Sequence, residues 1–565
     1  MGSSWKNKLV GALAAGAIVA GLLPVTALGA TGALEADTKI SVTGVEDGAT
    51  VTAYKVVKVD QSNTAVNGTA GWALAGTFGD IKLTDIIGTN AAISAEEAAT
   101  IADAAPDANP PLTTVTLTKK GDAYEANVIE PGLYVVVVTG TGATVYNPMF
   151  VSADYSQDDP NTNTIAASET YKGNTAVAKS SKPTLTKSAD QEADKAVQAG
   201  DSVEFTIGTQ VPYYPSPYYD ANSVKFEIND VLDDGLAMPT KKTDVVVKAG
   251  NATLEEGTDY DLTLNATNRS LKIEFKAPYL QNGTRTDKGG LSNGTTAITV
   301  KYAATVGDVT KFTQSVQELT NDASITFTNK PGTGTDATHT PPHKKTHHYT
   351  FGVDANLAGS SSGQEKTKEL RKIAVDANGE VVYETIETSF TDTDKQRGPL
   401  EGATFELKGT SSDGTTYSQT TTTDENGRIS FTGLDADIVY TMKETSAPLG
   451  YQLDTTQYQI KVVAEYNEPT ANEDATLKSY KVKFKKAADS NWQDLTSYTI
   501  ENENGEIKTT VVDNGCVTAL IKNVKAGLLP STGGSGIFFY LAVGGAIAGI
   551  SLYLMKKDEH AEAAE

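Results

Sequence analysis

Among the side chains of this 565-residue chain that could do chemistry, the histidines come first. Four of the five, His339, His343, His347 and His348, fall in or beside one short stretch. Imidazoles at such spacing can bind a metal, but no accompanying set of carboxylates or cysteines completes a site. The stretch Gly332–Lys345, rich in Gly, Thr, Pro and His, reads instead as a solvated linker. Tyr213, Tyr214, Tyr218 and Tyr219, interleaved with Pro212, Pro215 and Pro217, suit either a sugar or peptide platform or a stiff loop packed on its own domain. Cys516 is the only cysteine, so no intrachain disulfide can form. It reads as a buried thiol near the last strand, with a disulfide between copies as the other reading. Neither a Gly-rich phosphate loop, nor a zinc-protease helix, nor a Gly-x-Ser-x-Gly elbow is present, and no cofactor is implied.

The two ends of the chain set its destination. Lys6 and Lys8 precede the apolar run Leu9–Leu23 and the small-residue site Ala27-Leu28-Gly29, the pattern of a secretory signal peptide over 1–30; an uncleaved anchor is the other reading. At the far end the uncharged run Ile537–Met555 spans 19 residues, roughly 28 Å as a helix, enough to cross a hydrocarbon core. Lys556 and Lys557 follow it and would halt export with the acidic tail inside. The formal charge of −24, from 47 basic and 71 acidic side chains, comes without a basic cluster, which argues against a nucleic-acid partner. The acidity suits a soluble, exposed surface protein.

Between the ends the texture is β: short runs rich in Thr, Val and Tyr, punctuated by Gly, Asp and Asn. Thr38–Val57 reads as two strands about Glu46-Asp47-Gly48, with Ile40, Val42, Val51 and Ala53 at alternating positions. Ser94-Ala95-Glu96-Glu97 is a capping box opening a short helix through Ala105, and Tyr134–Val138 should be a buried strand. Lys172–Pro183 has no hydrophobic period and reads as a linker or exposed edge. The expectation is an all-β chain of tandem β-sandwich domains: 34–175, 183–332 and 346–525, with the signal peptide before and the segment 529–565 behind.

Leu529-Pro530-Ser531-Thr532-Gly533, followed at once by an apolar span, a lysine pair and the chain end, resembles a Gram-positive cell-wall sorting signal. The resemblance implies that a sortase cysteine attacks the Thr532 carbonyl, releases Gly533 onward, and passes the acyl group to an amine. Upstream, Pro399-Leu400-Glu401-Gly402-Ala403-Thr404-Phe405, then Tyr440-Thr-Met-Lys-Glu444 with Pro448-Leu-Gly450-Tyr451, then Leu520-Ile521-Lys522-Asn523 resemble the opening strand, E-box and last strand of the Cna B-type domains of backbone pilins. That likeness implies an isopeptide bond between a first-strand lysine and Asn523, promoted by Glu444. A lysine amine attacks only when neutral, and burial lowers its pKa toward that state. A buried carboxylic acid beside it stays protonated, polarises the carboxamide and shuttles protons as ammonia leaves. Family members carry the lysine nearer the Pro-Leu-x-Gly-Ala strand. Here Lys372, favoured over Lys368, lies 27 residues before Pro399.

The second unit resembles the isopeptide-forming middle domain of fimbrial backbone subunits. Pro183-Thr-Leu-Thr-Lys187, Ile228-Asn229-Asp230-Val231-Leu232 and Ile325-Thr-Phe-Thr-Asn329 match its first strand, its acid-bearing segment and its last strand. Carried over, Lys187 bonds Asn329 and Asp230 is the promoting acid. In backbone pilins a further lysine, commonly in Val-Tyr-Pro-Lys, accepts the next subunit. Lys179, eight residues before Lys187, holds that position, with Val177 and Ala178 in place of Tyr and Pro; Lys182 and Lys172 are the alternatives. The resemblance thus implies a structural subunit of a sortase-assembled pilus, not an enzyme. Its implied partners are sortase, further copies of the chain, tip and basal pilins, peptidoglycan and host surface ligands, with final attachment to the cell wall. A wall-anchored adhesin or minor pilin built from the same domains is the alternative.

Overall fold

The computed structural model describes residues 38–526 with interruptions, the longer ones at 154–172, 282–294, 354–369 and 383–397. The expected signal peptide, the sorting pentapeptide Leu529–Gly533, the apolar span, Lys172, Lys368 and Cys516 lie outside the described residues. The architecture is strand upon strand, as the texture of the sequence leads one to expect, with few and short helices among the described residues.

In the first unit Ile40, Val42, Val51 and Ala53 are all fully buried. Their strands, Thr38–Thr43 and Thr50–Val59, nevertheless do not form a hairpin. Thr38–Thr43 pairs with Ala123–Val128, and Thr50–Val59 with Gly132–Thr139 and Thr114–Lys120. The turn between them is held from elsewhere: Glu46 accepts hydrogen bonds from the backbone N–H groups of Thr141 and Gly142, and its own N–H donates to the Tyr146 hydroxyl. The helix Ala95–Ala104 opens with the expected reciprocal cap, Glu97 N–H to Ser94 Oγ and Ser94 N–H to Glu97 Oε2. The unit runs past the expected boundary at 175. Strand Thr175–Val177 lies parallel to Thr38–Thr43, and Lys179–Ser181 pairs with Val145–Asn147. Three-residue edge strands bury too little to leave a periodic signal in sequence.

The middle unit is a sandwich. One sheet runs Leu185–Ala189, Ser202–Pro212, Thr295–Val306, Val246–Ala249, Ala252–Thr253. The other runs Tyr260–Asn265, Ser270–Phe275, Phe226–Leu232, Val316–Thr328, and continues through Lys344–Val353 to Phe431–Leu434 of the third unit. The boundary expected at 346 therefore falls inside a strand that serves two units. Lys344–Val353 pairs over eight residues with Val316–Thr328 on one side and with Phe431–Leu434 on the other. Its inward positions include Thr346, His348 and Thr350, all buried, so the polar residues just past the stretch that reads as linker are core-facing strand.

In the third unit a seven-stranded antiparallel sheet carries Thr404–Thr410 and Tyr440–Ser446 side by side. Against it packs a parallel pair, Leu370–Val375 with Ala519–Val524, sharing a core of Leu370, Phe405, Leu407, Tyr440, Met442 and Ile521. The first and last strands of the unit are thus direct neighbours.

The Tyr–Pro cluster settles between units. Tyr213, Tyr214, Tyr218 and Tyr219 are at most 3% exposed, Tyr219 donates to the Tyr146 carbonyl, and Asn147 donates to the Tyr213 carbonyl. It is a packed seam between the first and middle units, with no open aromatic face.

Candidate functional site: two buried lysine–acid–carboxamide clusters

In the third unit, alternation on the parallel pair turns Lys372 and Asn523 to the same covered face. Glu444 reaches them from the adjoining sheet. The Lys372 side chain is fully buried and its ammonium nitrogen lies 3.1 Å from Glu444 Oε2; the Asn523 Nδ2 donates to Glu444 Oε1 at 2.7 Å. The Asn523 Oδ1 has no hydrogen-bond partner among the described residues. The Lys372 ammonium also lies 5.2 Å from the centre of the Phe405 ring. Burial lowers its pKa, against the pull of Glu444 in the other direction. The third-unit residues named from sequence are therefore one cluster, with one carboxyl group touching both the amine and the amide.

In the middle unit Lys187, on Leu185–Ala189, bonds to Asp230 on Phe226–Leu232 with both side chains fully buried. Burial again lowers the lysine pKa and Asp230 opposes it. The ring of Phe205 lies 5.4 Å from the lysine nitrogen.

The carboxamide differs from expectation. Asp230 is opposite Ala323 in the ladder, and the next residue on that inward face is Asn321, fully buried. Asn321 Nδ2 donates to the Tyr302 hydroxyl at 2.7 Å, and Tyr302 donates to Asp230 Oδ2 at 2.5 Å. Asn329 lies six residues beyond Ala323, about 20 Å along an extended strand. Its Nδ2 donates to the Gly142 carbonyl of the first unit. The structure thus gathers Lys187, Asp230, Tyr302 and Asn321 and leaves Asn329 at the seam with the first unit. Asn321 lies on the strand Val316–Thr328 and Asn329 just past its end, and both are buried. Only the register against Phe226–Leu232 distinguishes them. Tyr302 comes from the opposite sheet, paired with Phe205, and no local pattern announces it.

Behind this cluster His348 is fully buried, edge-on to Phe205 with ring centroids 5.7 Å apart, and neither ring nitrogen has a hydrogen-bond partner among the described residues. Burial first, then the nearby Lys195, holds its pKa down to about 3. Its neighbours are split by the period of the strand: His347 Nδ1 meets Glu318 at 2.8 Å, and His343 meets Asp322 at 3.1 Å. The three do not converge on a point.

The remaining lysines are of another kind. Lys179 and Lys182 are exposed, Lys179 on the edge strand Lys179–Ser181 opposite Asn147.

Compared with known proteins, residues 384–476 match the family described as SpaA, prealbumin-like fold domain. The chain is similar to the trypsin-resistant surface T6 protein of Streptococcus pyogenes serotype M6, 25% identical over 580 residues, covering 95% of this chain and 98% of that protein. Among solved structures it is similar to the T6 backbone pilin of serotype M6 Streptococcus pyogenes, described as a modular three-domain structure, at 18% identity and TM-score 0.47 over 88% of this chain and all of that one. It is also similar to BcpA, the major pilin subunit of Bacillus cereus, at 14% identity and TM-score 0.39 over 86% of this chain and 99% of the other.

Proposed function

We propose that this chain is the backbone subunit of a covalently polymerised surface pilus. Sortase cleaves after Thr532 and joins its carbonyl to Lys179 of the next copy, and the finished fibre is attached to the cell wall. The middle and third units are each closed by an isopeptide bond, Lys187–Asn321 and Lys372–Asn523. The observation that carries this reading is the pair of fully buried lysines, each against a carboxyl group that leads to a carboxamide on a late strand of its own unit. A lysine buried at such cost without turnover chemistry nearby is explained if it is consumed in forming an amide. Full-length similarity to a surface protein named for its resistance to trypsin supports the same reading, because a chain welded across its sandwich resists the unfolding that a protease needs.

Each bond forms by the same balance. The neutral amine attacks the carboxamide carbon, the amine nitrogen loses one proton, the amide nitrogen gains one, and ammonia departs. Glu444 touches both nitrogens in the third unit and can move that proton alone. Closing loops of roughly 130–150 residues stabilises each unit by about 5 kcal/mol on the chain-entropy account.

Assembly is tested in cells that carry the pilus sortase. Wall extracts on a denaturing gel should show a ladder of high-mass species for the parent chain, and Lys179→Arg should collapse it to monomer. A ladder that survives Lys179→Arg shows that another lysine accepts the acyl group; a parent chain with no ladder contradicts the backbone assignment.

A further inference from the structure

The two clusters differ in one respect that bears on how their bonds form. In the third unit a glutamate spans from the lysine nitrogen to the amide nitrogen. In the middle unit the acid is an aspartate, one methylene shorter. It reaches Lys187 through Oδ1, while its Oδ2 meets the Tyr302 hydroxyl rather than the amide. Tyr302 then meets the Asn321 Nδ2. The four groups form an unbranched chain, Nζ to Oδ1, Oδ2 to hydroxyl, hydroxyl to Nδ2. Asp230 and Asn321 are fully buried and Tyr302 nearly so, so bulk water does not compete for these protons.

We propose that Tyr302 is a catalytic proton relay that completes the reach of Asp230 in forming the Lys187–Asn321 bond. Passage of one proton from Lys187 to Asp230 turns the ion pair into a neutral amine and a neutral acid. The amine lone pair attacks the Asn321 carbonyl carbon. A planar carboxamide nitrogen has no lone pair to offer, but once that carbon is tetrahedral it has. With the acid proton of Asp230 moved to its Oδ2 side, the Tyr302 hydroxyl gives its own proton to Nδ2 and takes that one, while the Lys187 nitrogen returns its surplus proton to the vacated Oδ1. The carbon–Nδ2 bond breaks and ammonia leaves. Tyr302 ends in the protonation state in which it began, Asp230 ends as the neutral acid that keeps the proton first taken from the ammonium, and one ammonia is the only molecule released. Burial keeps the phenol far above its ordinary pKa, so it acts as a hydroxyl that exchanges protons and never as a standing phenolate.

This inference rests on Lys187 and Asn321 being the bonded pair, and the test separates the two claims. Crosslinked peptides are followed by mass spectrometry in newly synthesised full-length chain after an isotope pulse. Asn321→Ala should abolish the middle crosslink and Asn329→Ala should leave it; the reverse result removes the pairing itself. With the pairing intact, Tyr302→Phe should slow the middle bond by about a hundredfold or more, the usual worth of a positioned general acid. The Lys372–Asn523 bond of the same molecules should form at its normal rate, which also reports that the chain has folded. Difluorotyrosine at position 302 keeps the shape and acidifies the hydroxyl. It should change the rate of the middle bond alone, which a purely packing role would not. Normal middle-bond kinetics in both variants would overturn the relay.

Discussion

At the scale of single residues, the middle unit's core is held together by groups that are costly to bury and are tolerated because each has a task. Lys187 and Lys372 would lose their titration on becoming the proposed amides. His348 would not. Its pKa in the folded chain, near 3, lies below the ordinary value of 6.5. The unfolded chain therefore binds a proton between those limits and the folded chain does not. Stability from this residue is complete above about pH 6.5 and is lost as pH falls toward 3, at up to about 1.4 kcal/mol per pH unit. His348→Leu should flatten the fall in melting temperature between pH 6.5 and 5, a window above the titration of Asp454 and Asp494, whose pKa values are lowered. An unchanged pH slope would mean that the imidazole takes its proton without unfolding the strand.

Lys187, Asp230 and Glu444 each sit in a distinctive local run, whereas Lys372, 27 residues before Pro399, had to be chosen over Lys368 without one. The carboxamide of the middle unit was not legible in sequence. Choosing Asn321 over Asn329 requires the register of Val316–Thr328 against Phe226–Leu232, a long-range pairing that alternation cannot supply. Tyr302 was illegible for the same reason: its place is set by a strand of the facing sheet.

At the scale of elements, the strand Lys344–Val353 decides how the middle and third units meet. It lies inside one sheet between Val316–Thr328 of the middle unit and Phe431–Leu434 of the third, and polar side chains reinforce the junction. Lys195 pairs with Asp474 at 2.8 Å, the Tyr440 hydroxyl donates to Gln198 Oε1, and Gln198 donates to the Thr415 carbonyl. Gly433 sits in this seam at φ +75°, its carbonyl accepting from Ala199 N–H. A Cβ there would lie 3.0 Å from the Ala199 Cβ and 3.1 Å from Phe312. Gly433→Ala should cost about 1–3 kcal/mol by strain and close contact together. Denaturant unfolding should show a lower midpoint, and proteolysis should gain cuts near 197–201; a variant as stable as the parent would show that the seam yields freely. Sequence composition pointed away from this arrangement because Gly332–Lys345 carries the marks of a linker and the strand begins at its very end. Threonine and histidine fill inward positions that pattern reading reserves for apolar residues.

At the scale of the whole molecule, the proposed bonds would make the subunit a tie-rod. Load entering at Lys179 would pass to Lys187, cross to Asn321, continue through the bridging strand, and cross again from Lys372 to Asn523 before leaving toward Thr532. The chain between each bonded pair would carry no tension. Without the middle bond, pulling could release roughly 450 Å of extra chain, counting about 3.4 Å for each bypassed residue. A fibre subunit that has no disulfide to limit its stretch would gain its inextensibility this way. The all-β architecture behind this was evident from alternation and turn residues, whereas the sharing of one sheet by two units was not, since it is a property of tertiary pairing alone.

The central claim is that folding itself welds the middle and third units, and intact mass tests it most directly. The purified full-length chain should weigh about 34 Da less than its sequence, one ammonia of about 17 Da for each bond. Lys187→Ala or Lys372→Ala should each restore one such increment beyond the change of side chain. A parent chain at its full sequence mass would contradict the account.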